Sequence, residues 1–235
     1  FFTPRSGSSR LTDILHSSSR LGDPGELFNP AFVPGIAQTY GATDLESYVD
    51  HVMRRRQVAG LFGCEITYSH ALNLFGGFGR FFQMINPRHV FWQLREDLVA
   101  QAISLSRLRQ TRVAHTAYVD ASAESRAEDS FCYDPEDILT WLRRLHYQEK
   151  HTAAAFRFHG IVPEILTYEK LVAMSESEIV RHIGEALGVD VSAVEGFRSG
   201  HRKLSGDKAR RFAELFLEEH GPEVWQRYSE RDWLR

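Results

Sequence analysis

FFTPRSGSSRL, residues 1–11, decides how the rest of the chain is read. Two aromatics run into Pro4, followed by one cation, one glycine and three hydroxyls, Arg5-Ser6-Gly7-Ser8-Ser9, ahead of an apolar helix start at Leu11. Residues 1–3 read as the tail of a buried strand, so a few residues are expected to precede them, and 9–15 open a helix. A strand turning directly into a helix begins a β–α crossover. In such a sheet, ligands sit beyond the C-terminal strand ends, where helix N-termini point. The unpaired N–H groups there favour anions. Arg5 adds a full charge and a planar fork suited to phosphate or sulfate oxygens. Gly7 permits close backbone approach, and Ser6, Ser8 and Ser9 donate hydroxyls. The stretch reads as an anion cradle; the competing reading is a helix cap carrying an exposed arginine. It is not a Walker A loop, which needs a longer loop with a lysine before the Ser/Thr.

Further along, strands and helices alternate. Residues 61–68 (LFGCEITY), 89–94 (HVFWQL) and 163–167 (PEILT) read as strands. Thr43-Asp44-Leu45-Glu46 opens a helix to about residue 56. Further helices are expected from 97 to about 112, from 134 to about 158, near 176–187 and near 206–220. Residues 22–41 hold three prolines and four glycines and read as a loop, as does the small, acidic segment 114–134. This pattern predicts a single α/β domain over 1–235, with a central, mostly parallel sheet flanked by helices on both faces.

A 235-residue chain buries roughly 70–75% of its unfolded surface as one domain, so it needs no disulfide staples. The net charge of −3 gives no footprint for nucleic acid. Cys64 and Cys132 are far apart and form no CxxC pair, which argues for a reducing compartment and against a zinc site. No apolar run approaches the roughly 20 residues of a membrane span, and no basic-then-apolar leader is seen. A cytoplasmic protein is the expectation. His146 and His151, nearly opposite in helical phase, read as packing or surface residues, and no metal is expected.

PRSGSS resembles the 5′-phosphosulfate loop of sulfotransferases that use 3′-phosphoadenosine-5′-phosphosulfate (PAPS). It is most similar to that of the bacterial trehalose 2-sulfotransferases and the related nodulation sulfotransferases. Gly25-Glu26-Leu27-Phe28 is similar to that family's element after the first helix. Arg95-Glu96-Asp97-Leu98-Val99-Ala100-Gln101-Ala102-Ile103-Ser104 resembles its strand-to-helix segment, continued by Gln110-Thr111-Arg112. Leu166-Thr167-Tyr168-Glu169-Lys170-Leu171 is similar to the Y-E-x-L turn of many sulfotransferases. These motifs follow in order from residue 4 to 171.

The resemblance implies a three-layer, P-loop-like fold and transfer of sulfate to a hydroxyl of a sugar or glycolipid, with PAP as the other product and no metal. It gives the 5′-phosphosulfate to Arg5, Ser6, Gly7, Ser8 and Ser9, with Arg5 near the bridging oxygen. It gives the 3′-phosphate to Arg95 and Ser104, and places Tyr168 against the adenine, a plain core tyrosine being the alternative. Glu169 is read as a brace for the turn. Glu26 is the implied base, its pKa raised by partial burial. Relatives carry a lysine where this chain has Glu65, which here is an acceptor-recognising acid, a second base or a solvent-facing group. The basic stretch Arg198-Ser199-Gly200-His201-Arg202-Lys203 matches a late nucleotide clamp only loosely, and a solvated charge run is the commoner explanation. Loops 22–41 and 114–134 are expected on the acceptor side, and relatives dimerise, so a homodimer is an option. Two rivals stand beside this reading: a kinase on a P-loop-like fold, and a catalytically impaired PAPS- or PAP-binding protein.

Overall fold

A computed structural model describes residues 1–113, 121–194 and 206–234. The basic stretch at 198–203, and residues 114–120 of the segment expected as a loop, lie outside them. The described chain is mostly helical around a small parallel sheet. Strand β1 (Phe91–Leu94) pairs with β2 (Glu164–Thr167), Phe91 opposite Glu164 and Leu94 opposite Thr167. On the other side of β1, Phe2 bridges Gln93 in parallel, and Gln93 N–H donates to the Phe1 carbonyl at 2.8 Å. Beyond that, Phe2 N–H donates to the Ile66 carbonyl. Three parallel segments therefore end side by side: the first at the 4–7 loop, β1 at Arg95 and β2 at Tyr168.

Helix α1 (Ser8–Ser18) leaves the first crossover. Helices α2 (Val33–Tyr40), α3 (Leu45–Arg55), α4 (Tyr68–Phe75) and α5 (Phe78–Ile85) precede β1. After it come α6 (Leu98–Thr111), α7 (Ala121–Ser130) and α8 (Pro135–His159). Behind β2 lie α9 (Tyr168–Ala173), α10 (Glu176–Leu187), α11 (Asp207–Ser229) and a short 3-10 turn, Asp232–Leu234. An aromatic core seats the first strand segment: the Phe1 ring lies 5.4 Å from that of Phe78 and 4.9 Å from that of Phe156. A second core, with Leu98, Ala102, Leu142 and Phe216, packs α6 against α8 and α11.

Four expectations change. Residues 61–68 form no regular strand: Gly63 sits against Pro24, and a Cβ at position 63 would lie 3.2 Å from the proline ring. Proline brings no N–H to a ladder, so pairing stops there. The 22–41 loop contains α2, because Pro34 falls in its first turn, where a missing N–H costs nothing, and Gly41 caps its end with φ +69°. The 114–134 loop contains α7, which buries Ala127 and is followed at once by the buried Phe131, but has too narrow an apolar face to show periodicity. The last helix runs past Pro222 to Ser229, held by Val224 and Tyr228 in the second core. Helices α4 and α5, divided by Gly76-Gly77, were not anticipated from the sequence.

Candidate donor and acceptor site

The first crossover is built on unusual backbone. Arg5 has φ +67°, a left-handed conformation that costs a non-glycine residue on the order of 1–2 kcal/mol. Gly7 follows at φ +87° and caps α1. The first helical bonds come from Arg10 and Leu11, both donating to the Gly7 carbonyl. The N–H groups of Ser8 and Ser9 thus lie ahead of the helical ladder. Two buried glutamines fix the loop. Gln93 Nε2 donates to the Ser6 carbonyl at 2.9 Å, and Gln101 Nε2 donates to Thr3 Oγ1 at 2.9 Å and to the Pro4 carbonyl at 2.7 Å.

The Arg5 side chain reaches α6, where its Nε donates to Ser104 Oγ at 2.9 Å. Arg95, at the end of β1, stacks its guanidinium 4.6 Å above the Tyr168 ring at the end of β2. Tyr168 in turn closes on Gly7: a Cβ at position 7 would lie 2.9 Å from Tyr168 Cδ2. The structure therefore brings Arg5, Gly7, Arg95, Ser104 and Tyr168 into one corner. Burial, then the like charges of Arg107 and Arg95, depress the Arg5 pKa. Ser6 Oγ and Arg95 Nε are buried without a hydrogen-bond partner among the described residues.

The turn carrying Arg95 is braced from two sides. The Glu169 carboxylate accepts from the N–H groups of Glu96 (2.9 Å) and Asp97 (3.3 Å) and lies 3.8 Å from Arg95 Nε. Arg231 donates to the carbonyls of Glu96 (2.7 Å) and Arg95 (2.6 Å), and pairs with Glu149 at 2.8 and 3.1 Å. Both Arg231 and Glu149 are fully buried, and Trp233 Nε1 adds a bond to the same carboxylate.

Two acids lie on the other side of the loop. Segments 22–26 and 61–65 run alongside each other, with Glu65 N–H donating to the Gly25 carbonyl at 2.8 Å. Glu26 is anchored by the buried Leu27 and Phe28, and its Oε2 accepts from Asn29 Nδ2 at 2.6 Å. Burial first, and the neighbouring Glu26 second, raise the Glu65 pKa to about 7, against an opposing hydrogen bond from Ser8. Glu65 is half-buried.

The family model for Stf0 sulphotransferase matches residues 73–219, more than half of the chain. The chain belongs to the Stf0 sulphotransferase family. No curated protein matches it. As an Stf0 sulphotransferase it is an enzyme that transfers sulfate, in line with the sequence resemblance. The matched residues include Arg95, Ser104 and Tyr168; the 4–9 loop and Glu26 lie ahead of them. Among the described residues of this Stf0 chain, no helix is long and apolar enough to cross a membrane.

Gln93, Glu149 and Arg231, which support the corner, carry no local signal in the sequence. Gln101 was legible only as part of a motif; a polar residue on an otherwise apolar helix face was the available signal. Gly7→Ala is expected to be costly. The left-handed backbone alone takes roughly 1–2 kcal/mol, and the new methyl displaces the Tyr168 ring. Melting temperature and PAP affinity should fall together, and an unchanged affinity would separate Tyr168 from the nucleotide.

Proposed function

We propose that this enzyme moves a sulfuryl group from PAPS to a hydroxyl of a carbohydrate or glycolipid-type acceptor, as a single domain with a P-loop-like, three-layer arrangement. The observation that carries the reading is the corner where Arg5, Arg95 and Ser104 converge with buried, unpartnered polar atoms of Ser6 and Arg95. A buried hydroxyl or guanidinium N–H without a hydrogen-bond acceptor is costly unless a ligand satisfies it. An oxyanion does so for all of them. PAPS supplies the sulfuryl group and leaves as PAP.

Ser8 and Ser9 N–H groups, with the Ser6 and Ser9 hydroxyls and Gly7, hold the 5′-phosphosulfate, while the Ser8 hydroxyl stays on Glu65; Arg95 and Ser104 hold the 3′-phosphate. Arg5, bonded to Ser104, faces both and stabilises charge on the departing oxygen. Tyr168 receives the adenine. Glu26 accepts the proton that the acceptor hydroxyl loses as its oxygen bonds to sulfur. Glu65, raised to about 7, carries its proton in about half of the molecules at neutral pH, which lessens the like charge it and Glu26 present to the anionic donor.

Melting curves with PAP, AMP and ATP with magnesium, followed by labelled transfer from PAPS to a panel of sugars, test this. Ligand at 100 times its Kd stabilises by about 2.7 kcal/mol. PAP should shift melting most and label should reach a sugar. A larger shift with ATP and magnesium overturns the reading in favour of a kinase. PAP binding with no transfer to any acceptor overturns the catalytic part.

A further inference from the structure

Helix α6 brings a third cation, Arg107, to bear on the corner beside Arg5 and Arg95. Ser104 and Arg107 are three residues apart and share a helix face, and Ser104 is the residue that holds Arg5. The charge of Arg107 acts on Arg5 more strongly than that of Arg95 does. The Arg107 side chain is only 7% exposed, and its Nε has no hydrogen-bond partner among the described residues. A carboxylate stands close by: Glu128 Oε2, from α7, is 3.3 Å from that Nε. The contact is an ion pair without hydrogen-bond alignment, so it offsets the charge and leaves the directional bond of the Nε–H unmade.

Glu128 is also the exposed partner, at 36% against 7%. Its carboxylate covers Arg107 from the solvent side. The backbone beneath it is fixed independently, since Lys208 Nζ donates to the carbonyls of Glu128 (2.6 Å) and Asp129 (3.3 Å). These bonds hold the α7 backbone without engaging the Glu128 carboxylate, whose Oε1 lies against Gly206.

We infer that Arg107 is a third guanidinium for the phosphate monoester of the donor, and that Glu128 is an internal stand-in for that phosphate, displaced when it binds. The inference rests on the proposed donor site. A phosphate is the better partner because it carries up to two charges and offers paired acceptor oxygens to a planar fork. The 3′-phosphate is the group concerned, since Ser104 sits one turn away.

Calorimetric titration of PAP and of AMP, which lacks that phosphate, into the whole chain distinguishes the outcomes. Glu128→Gln should tighten PAP by about 5–10-fold, the low end of a typical coupling between two ligands, with little change for AMP. Asp129→Asn, an exposed neighbour on the same helix, controls for long-range charge and should move neither. Arg107→Gln should weaken PAP at least about tenfold and AMP far less. If Arg107→Gln fails to fold, Glu128→Gln decides alone, because its expected gain in affinity cannot come from lost structure. An unchanged ratio of PAP to AMP affinity in Glu128→Gln, with only its melting lowered, makes the pair purely structural and overturns the inference. Failure of the unaltered chain to bind PAP overturns the donor-site reading as well.

Discussion

Glu26→Gln is expected to cut turnover by about 10²–10⁴-fold, the usual contribution of a positioned base, and to leave PAP affinity nearly unchanged. The amide keeps the shape of the side chain and its contact with Asn29 but cannot accept the acceptor's proton. The same change removes the second cause of Glu65's raised pKa, so Glu65 should titrate below its present value of about 7. Glu65 also imprints on stability. Its folded-state pKa lies above the ordinary 4.5, so the folded chain holds the proton more tightly than the unfolded one. That contribution is fully present below pH 4.5 and is lost as pH rises through about 7, in total on the order of 3 kcal/mol. Glu65→Gln, always neutral, should remove the decline, and its melting temperature should overtake that of the unaltered chain between pH 6 and 8.5. Equal pH slopes would place Glu65 outside the carboxyl pair. Unchanged turnover in Glu26→Gln would strike it from the chemistry.

Arg231→Met should be the most destabilising single change. Losing one member of a buried ion pair costs about 3–5 kcal/mol, and here the change also strips two backbone carbonyls of their donor. For a chain of this size that lowers the melting temperature by roughly 6–20 °C. Glu149 is already pushed up by burial, with Arg231 as the chief opposing influence, and should hold a proton once Arg231 is gone. The double variant Arg231→Met, Glu149→Leu should recover much of the stability, since an apolar pair of similar volume often replaces a buried ion pair without loss. It should not recover PAP affinity, because the carbonyls of Arg95 and Glu96 remain unheld. Recovery of both would limit the pair to a role in packing.

Legibility in the sequence followed how local each signal was. The first crossover, the strands at 91–94 and 164–167, and the capped helices starting near 45, 98, 135 and 176 could be read because capping residues and apolar periods lie within a few positions of one another. The 61–68 segment misled because its partner is Pro24, some 40 residues away, and a proline's effect on a ladder shows only once the two strands are neighbours. Prolines at 22–41 were read as breakers, whereas Pro34 sits where a helix tolerates it. Glu169 was legible as a brace from its turn. Arg231 was not: nothing near residue 231 announces a partner at residue 149 or carbonyls at 95 and 96. Arg107 was hidden for the same reason, one charge on a helix whose meaning depends on Arg5.

The contacts that shape the Arg5 corner join residues 5 to 104, 7 to 168, 6 to 93 and 231 to 95. Contacts so distant along the chain form late and slowly, because each must close a long loop before it is rewarded. A ribosome therefore releases the last clamp only after residue 231 has emerged, and nucleotide should have no firm grip on the growing chain before then. Added during refolding, PAP should slow the loss of finished enzyme without hastening its birth.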